Sequence, residues 1–334
     1  MNNRNIAVIG CGYWGKNFVR NFNELGALAA VVEPSEAGQA QAKKIAPQAT
    51  ITDTAEAVFN DEAIEGVVIA TPAPTHLPLG LEALKAGKDI FVEKPLALHP
   101  EDGIRLQMAS QEHNKILMVG HLLEYHPAIL KLRELVTSGE LGEICSIHSS
   151  RLNFGKIRTA ENVLWSFAPH DISVILRLLG ELPENIRCIG NSWITKGIAD
   201  TAHASFEFQN GTNTHIHVSW LNPFKEQKMT IVGREKMAVF DDRSKEFMLY
   251  DQHVESDNGN PILSKGSTSD VPFSDNEEPL RNECAHFLEC IRERTTPLTN
   301  AQNGIDVLRV LQACDESMQH AGELAKINNL PELV

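Results

Sequence analysis

An apolar run in D-I-F-V-E-K-P ends on a charge, with Glu93, Lys94 and Pro95 following residues 90–92. A lysine in that place can hydrogen-bond a hydroxyl oxygen and stabilise it as it becomes an alkoxide. Pro95 removes a backbone donor and restricts the Lys94 backbone. A second candidate is His170. It follows Pro169 and precedes Ile172, Ile175, Leu176 and Leu179 at helical spacing, with Gly180 as the stop. At a helix N-terminus the dipole disfavours imidazolium, so the ring is ready to accept a proton, and Asp171 beside it is favoured at the same end. A base and a cation of this kind suit proton removal from an alcohol.

Lys94 has a place only if the first half of the chain is read as a sheet. Residues 5–9 are a short apolar run, followed by Gly10-Cys11-Gly12-Tyr13-Trp14-Gly15 and a helical pattern to about residue 25. Strand, G-x-G-x-x-G and helix together form a dinucleotide fingerprint. Its glycines serve the tight turn, the close approach of the pyrophosphate and helix–strand packing. The second strand ends at Glu33, where a carboxylate accepts from both ribose hydroxyls and repels a 2′-phosphate. No cation follows it in Pro34-Ser35-Glu36, so NAD is expected rather than NADP. The alternation continues with a helix over 35–45, a buried strand over 66–70, a loop from Thr71 and Pro72 to His76, a helix to 86, a strand over 89–92, a helix over 100–113 and a strand over 116–119. Repeated β-α units predict a doubly wound parallel sheet whose strand ends share one ligand-binding edge. Tyr13, Trp14, Thr71, Pro72, His76, Glu93 and Lys94 join the three glycines and Glu33 as expected cofactor contacts.

After Gly120 the pattern changes. A helix is expected over 127–138, then alternating runs at 143–151, 185–193, 201–208, 214–220, 228–233, 237–242 and 247–251. They predict a large, mainly antiparallel sheet with one buried and one open face, the open face being a natural surface for a homodimer or homotetramer. His215 and His217 share a strand face but have no third ligand, so no metal site is expected. Residues 251–279, rich in Asp, Ser, Asn, Gly and Pro, read as an excursion from the sheet, a solvated loop with a lid or interface arm as the minor alternative. The expected division is an NAD-binding domain over 1–121 and a substrate-binding and oligomerisation domain over 122–334, with a late helix at about 300–321 packing back on the first.

Composition sets limits. The 334 residues suit two domains, and 42% apolar with 22% charged residues suits a soluble globular chain. No apolar run approaches the ~20 residues of a membrane helix, and no signal peptide is read at the N-terminus. Acidic residues outnumber basic ones 44 to 30, a net charge of −14 that disfavours nucleic acid and anionic membranes as partners. Six scattered cysteines without a C-x-x-C pair predict reduced thiols and a cytoplasmic location.

The motifs VIGCGYWG, VVIATPAPTH, Ala86-Gly87-Lys88, VEKPLA, VGH and QNGIDVLRVLQACDES together resemble the Gfo/Idh/MocA oxidoreductases, sugar and polyol dehydrogenases with an N-terminal Rossmann domain. The likeness covers essentially the whole chain. It implies a catalytic Lys94 and allows a cis bond to Pro95. The family often carries Asp four residues before its catalytic histidine; here that residue is Ser166, so the implied pair is Lys94 with His170. Within the family, GHLLEYHPA and the stretch over 151–173 are similar to the sugar-nucleotide 3-dehydrogenases. These oxidise the C3 hydroxyl of UDP-N-acetylglucosamine or its uronate ahead of transamination to a 3-amino sugar for lipopolysaccharide or similar glycans. That likeness implies substrate contacts from His121, Tyr125, Arg151, Asn153, Lys156, Arg158, Trp165 and Asp171. The small basic cluster of Arg151, Lys156 and Arg158 suits a diphosphate and equally suits an ordinary solvated surface. Alternatives are a dehydrogenase of a free sugar or inositol, a 3-ketosugar reductase, and an NAD(H)-binding sensor without turnover.

Overall fold

The structure is a computed structural model that describes residues 5–327. The chain divides into two compact units. Of the described residues, one unit holds those up to Tyr125 together with Glu278–Leu308; the other holds His126–Glu277 and those from Arg309.

In the first unit, β1 (Ile6–Ile9), β2 (Leu28–Val32), β3 (Thr50–Thr52), β4 (Gly66–Ile69), β5 (Asp89–Glu93) and β6 (Leu117–Gly120) form one parallel sheet in the order β3-β2-β1-β4-β5-β6. Every residue of β1, β4, β5 and β6 is buried. That is why these runs show no polar alternation: helices cover both faces of a parallel sheet. Its helices are α1 (Gly15–Glu24), α2 (Glu36–Ile45), α3 (Glu56–Phe59), α4 (His76–Lys85) and α5 (Pro100–Glu112). The strand order reverses between β1 and β4, the switch point at which such sheets bind ligands. The short β3 and α3 are additions to the elements expected from sequence.

In the second unit, α6 (Pro127–Thr137) precedes β7 (Ile144–Phe154), α7 (Val163–Phe167) and α8 (Pro169–Leu179). There follow β8 (Asn185–Asn191), β9 (Thr201–Glu207), β10 (Asn213–Ser219), β11 (Leu221–Gly233), β12 (Met237–Asp241), β13 (Glu246–Asp257) and β14 (Asn260–Asp270). Eight strands join in the order β14-β13-β12-β11-β7-β10-β9-β8. All neighbours are antiparallel except β7 and β10. Ile147, Phe206, Ile216, Ile231 and Phe240 are buried on one face.

Two expectations change here. Residues 251–270 are not an excursion from the sheet but the far half of the β13–β14 hairpin, turning at Asn258 and Gly259 with φ of 51° and 84°. Two successive positive φ angles make the two-residue turn that matches strand twist, and Asn-Gly is its preferred pair. The domain boundary moves as well, because α9 (Pro279–Glu293) belongs with the first unit. It buries Leu280, Cys284, Phe287 and Ile291 in the same core as Phe18 and Phe91. The Phe91 ring lies 5.1 Å from Phe18 and 5.5 Å from Phe287, edge to face. The last helix, α10 (Ala301–Gln319), counts to Leu308 with the first unit and thereafter with the second.

Candidate functional site

The glycine-rich loop joins β1 to α1 at the sheet's switch point. Gly10 has φ +96°, and a Cβ there would lie 2.8 Å from the Ala70 carbonyl oxygen. At Gly15 a Cβ would lie 2.1 Å from the Gly10 carbonyl oxygen. A Cβ at Gly12 would meet nothing within 4 Å among the described residues beyond its chain neighbours. The loop is closed beneath by the first and third glycines and open above the second, the shape a pyrophosphate requires. The residues present therefore fit a dinucleotide, with the N-terminus of α1 turned to its phosphates.

Glu33 stands at the end of β2. Its Oε2 accepts from the Cys11 backbone N–H at 2.8 Å, and its Oε1 from the Ser35 N–H and hydroxyl at 3.0 and 2.7 Å. Burial pushes this carboxyl up, but the bonds from Ser35 and Cys11 outweigh it and hold Glu33 below the usual carboxylate range. An anion is thus fixed beside the loop where an adenosine ribose is expected.

At the end of β5, Lys94 is half-buried and its bond to Pro95 is cis. Its backbone N–H donates to the Glu93 carboxylate, which also accepts from the Trp14 side chain. Glu93 so ties the lysine to the glycine-rich loop. Burial raises Glu93 to about 7, against the charge and backbone N–H of Lys94 and the bond from Trp14. The buried ring of His76 lies between two carbonyls, Nδ1 2.8 Å from Pro95 O and Nε2 2.9 Å from Thr71 O. It braces the Lys94 loop to the loop after β4. Burial pushes His76 below its ordinary value.

Beneath Glu93 the first unit buries more polar groups. His121, Glu124, Tyr125 and Glu283 are each less than 5% exposed. The Tyr125 hydroxyl is 2.8 Å from Thr299 Oγ1, which donates to Val119 O. Burial first, and the Glu93 charge second, push Glu283 well above the carboxylate range. A cavity of about 390 Å³ lined by Gln107, Asn114, Lys115, Arg294 and Asn300 opens near the start of β6, so at the opposite end of the strands from Lys94.

The second unit positions the remaining candidates. Asp171 accepts from Arg151 Nε at 2.6 Å, from Arg151 Nη2 at 3.1 Å and from Ser149 Oγ at 2.7 Å. This buried pair pins the first turn of α8, and with it His170, to β7. Pro169 opens the helix and Gly180 ends it with φ 74°. It starts at Pro169 as expected; what is added is α7, which the helical Ala168 joins directly to α8, so the C-terminal end of α7 lies at the positive end of the dipole and offsets it. The Trp165 indole donates to Asp315 at 2.6 Å. Asn153 Oδ1 is buried with no hydrogen-bond partner among the described residues, while Lys156 is exposed and Arg158 lies 3.8 Å from Glu161. Among the described residues no group of three or more His, Cys, Asp or Glu could hold a metal ion.

Residues 4–121 match the model of the oxidoreductase family with an NAD-binding Rossmann fold, and residues 129–239 match the GFO/IDH/MocA C-terminal domain. Inositol 2-dehydrogenase of Corynebacterium glutamicum is 32% identical over 240 residues, 69% of this chain and 71% of that protein. The chain belongs to the Gfo/Idh/MocA oxidoreductase family. Another member, UDP-N-acetylglucosamine 3-dehydrogenase of Acidithiobacillus ferrooxidans, is 28% identical over 236 residues, 70% of this chain and 72% of that protein. Its solved structure, GnnA, superposes with a TM-score of 0.84 over 95% of this chain and 98% of that one, at 24% identity. The chain spans 59% of a further relative, 2,7-anhydro-N-acetylneuraminate hydratase of Escherichia coli K12, which is 27% identical over 223 residues, 62% of this chain. The chain thus belongs to an NAD-linked oxidoreductase family and has an inositol dehydrogenase and a sugar-nucleotide dehydrogenase among its relatives.

Family membership leaves several contributors unassigned. Ser149, Asp315 and Glu283 carry no signal in the sequence that marks them out. Only α9 has one there, the apolar spacing of Leu280, Cys284, Phe287 and Ile291.

Proposed function

We propose that the chain oxidises the C3 hydroxyl of a UDP-N-acetylhexosamine, UDP-N-acetylglucosamine or its uronate, to the 3-keto sugar. The observation that carries this reading is the tie of Lys94 through Glu93 to Trp14, which sets the lysine beside the glycine-rich loop. Gly10, Gly12, Gly15 and Glu33 would hold the cofactor. When bound, NAD⁺ supplies the hydride acceptor. His170 takes the hydroxyl proton as general base. Lys94 donates a hydrogen bond to the same oxygen and stabilises its developing charge. Arg151 and Asp171 position His170. Asn153, with its unpartnered Oδ1, takes a sugar hydroxyl or amide, and Lys156 and Arg158 take the diphosphate.

Similarity to the A. ferrooxidans enzyme supports the sugar nucleotide. The higher identity to inositol 2-dehydrogenase favours a second reading, a cyclic polyol oxidised by the same residues. An NADH-absorbance screen across UDP-sugars, the uronate, free sugars and inositols decides between them. Turnover confined to UDP-hexosamines is the expected result, and turnover confined to inositols overturns it. The protein works as a homodimer or homotetramer through the open face of its eight-stranded sheet.

A further inference from the structure

Four histidines occupy the open face of the eight-stranded sheet, and they stand in pairs. His215 lies opposite His148 across β10 and β7, with ring centroids 5.0 Å apart and planes at 19°. His217 lies opposite His203 across β10 and β9, with centroids 3.9 Å apart and planes at 15°. Rings stacked this way aim their nitrogens alongside one another and do not converge on an ion.

The residues directly opposite the pairs across neighbouring strands are uncharged. Thr230 on β11 is opposite His148, Ser150 on β7 is opposite His217, and Ile189 on β8 is opposite His203. Ser205 on β9 places its hydroxyl 2.9 Å from His215 Nδ1. The charges facing these rings come from further along each strand. Lys228 on β11 is paired with Asp241 on β12 at 3.2 Å. Glu226 on β11 acts on His217, Glu207 ends β9, and Arg187 lies on β8. Two copies of a chain with net charge −14 repel over most of their surfaces, and a face whose centre lacks carboxylates is where they can meet.

We propose that this face docks on a second copy of the chain and that the contact closes only while its histidines are neutral. The proposal rests on the self-association reading above and adds its control. Two imidazoles stacked at 3.9 Å repel once both are charged, and docking doubles the number of rings and removes water. Already in one chain, burial and then the charge of the partner ring lower His148 and His217, while Glu226 pulls His217 the other way. Docking depresses these groups further. Association is therefore complete above the free-chain values, which lie below the ordinary histidine value of about 6.5, and is lost as pH falls through them.

The experiment is light scattering and sedimentation of the full chain over a concentration series at about pH 8 and about pH 5.5, with far-UV circular dichroism at both to establish that the fold persists. Each proton excluded from the contact weakens it by about tenfold per pH unit below the free-chain value, so Kd is expected to rise by tenfold or more. His203→Gln combined with His217→Gln should associate at about pH 8 with a flatter pH dependence. Thr230→Arg should remain folded and monomeric. A monomer at about pH 8 overturns the self-association reading itself. Equal Kd at both pH values, or an unchanged slope in the glutamine variant, overturns the histidine control and leaves association standing. Normal association of Thr230→Arg moves the contact off this face and overturns the proposal.

Discussion

At the scale of single residues the assignment divides into chemistry and cofactor choice, and each predicts a different measurement. Lys94→Ala should leave NADH affinity near that of the parent and lower kcat by about two to four powers of ten, the range seen when an oxyanion donor or general base is removed. Lys94→Met should be as poor, since it keeps the stem and loses the charge. Cofactor titration and steady-state turnover with the UDP-sugar check both. His170→Asn should remove most turnover together with the acidic limb of the pH–rate profile, because an amide cannot take the proton. The two losses should fall short of additive, since both serve one transition state. Glu33 predicts a clear preference for NAD over NADP in the same titration. Glu33→Ala with Ser35→Arg should narrow that preference by removing the anion and adding a partner for the 2′-phosphate. Equal affinity of the parent for both cofactors would sink the ribose assignment.

At the scale of elements, the cost of the arrangement lies in burying acids between β5 and α9. Glu93, raised to about 7, binds its proton more tightly in the folded chain than in the unfolded one. An acid raised in this way stabilises the fold below its unfolded value of about 4.5, and that stability is lost as pH rises through 7. The shift corresponds to roughly 3 kcal/mol at one buried group. Glu283, 1% exposed with an unpartnered Oε1 and also raised, adds to the same slope. Glu283→Gln should therefore raise the melting midpoint at about pH 8 by a few degrees and leave it nearly unchanged at about pH 4. A variant that melts lower at both pH values would show that the carboxylate holds a partner instead. The α9 core is equally testable: Phe287→Ala, which empties a fully buried site against Phe91, should cost about 3–5 kcal/mol in denaturant unfolding. Helix α9 is legible in its apolar spacing, and the β13–β14 turn in Asn258-Gly259. Each signal is masked by its neighbourhood: α9 lies beyond the strand-rich half, and the polar composition around Asn258 outweighs the turn.

For the whole molecule, the relevant quantities are the distribution of charge and of open sheet. A net charge of −14 opposes nucleic acid, and retention on immobilised DNA at physiological salt is expected to be absent. One face of the eight-stranded sheet is buried, and the other carries the paired histidines. Light scattering at micromolar concentration and about pH 8 should find a dimer or larger.

Local chemistry makes the first unit legible in the sequence by itself. Glycines that must avoid a Cβ, uniformly apolar strands and a cation at a strand end are demands of short stretches of chain, and they are written in short stretches: Gly10 to Gly15, the runs at β4 and β5, Lys94. The alternation of β7 to β13 is legible for the same reason, since a one-sided sheet imposes period two on each strand separately. What tertiary structure alone decided are the partnerships between residues far apart in sequence. Nothing near Asp171 announces that Arg151 and Ser149 will occupy its carboxylate, nor does anything near Trp165 point to Asp315. The Ala168 junction, which offsets the dipole assigned to α8, follows from α7 packing directly ahead of it. Likewise the histidines at 148, 203, 215 and 217 are separate polar positions along three strands. Only the register that sets β10 between β7 and β9 stacks them.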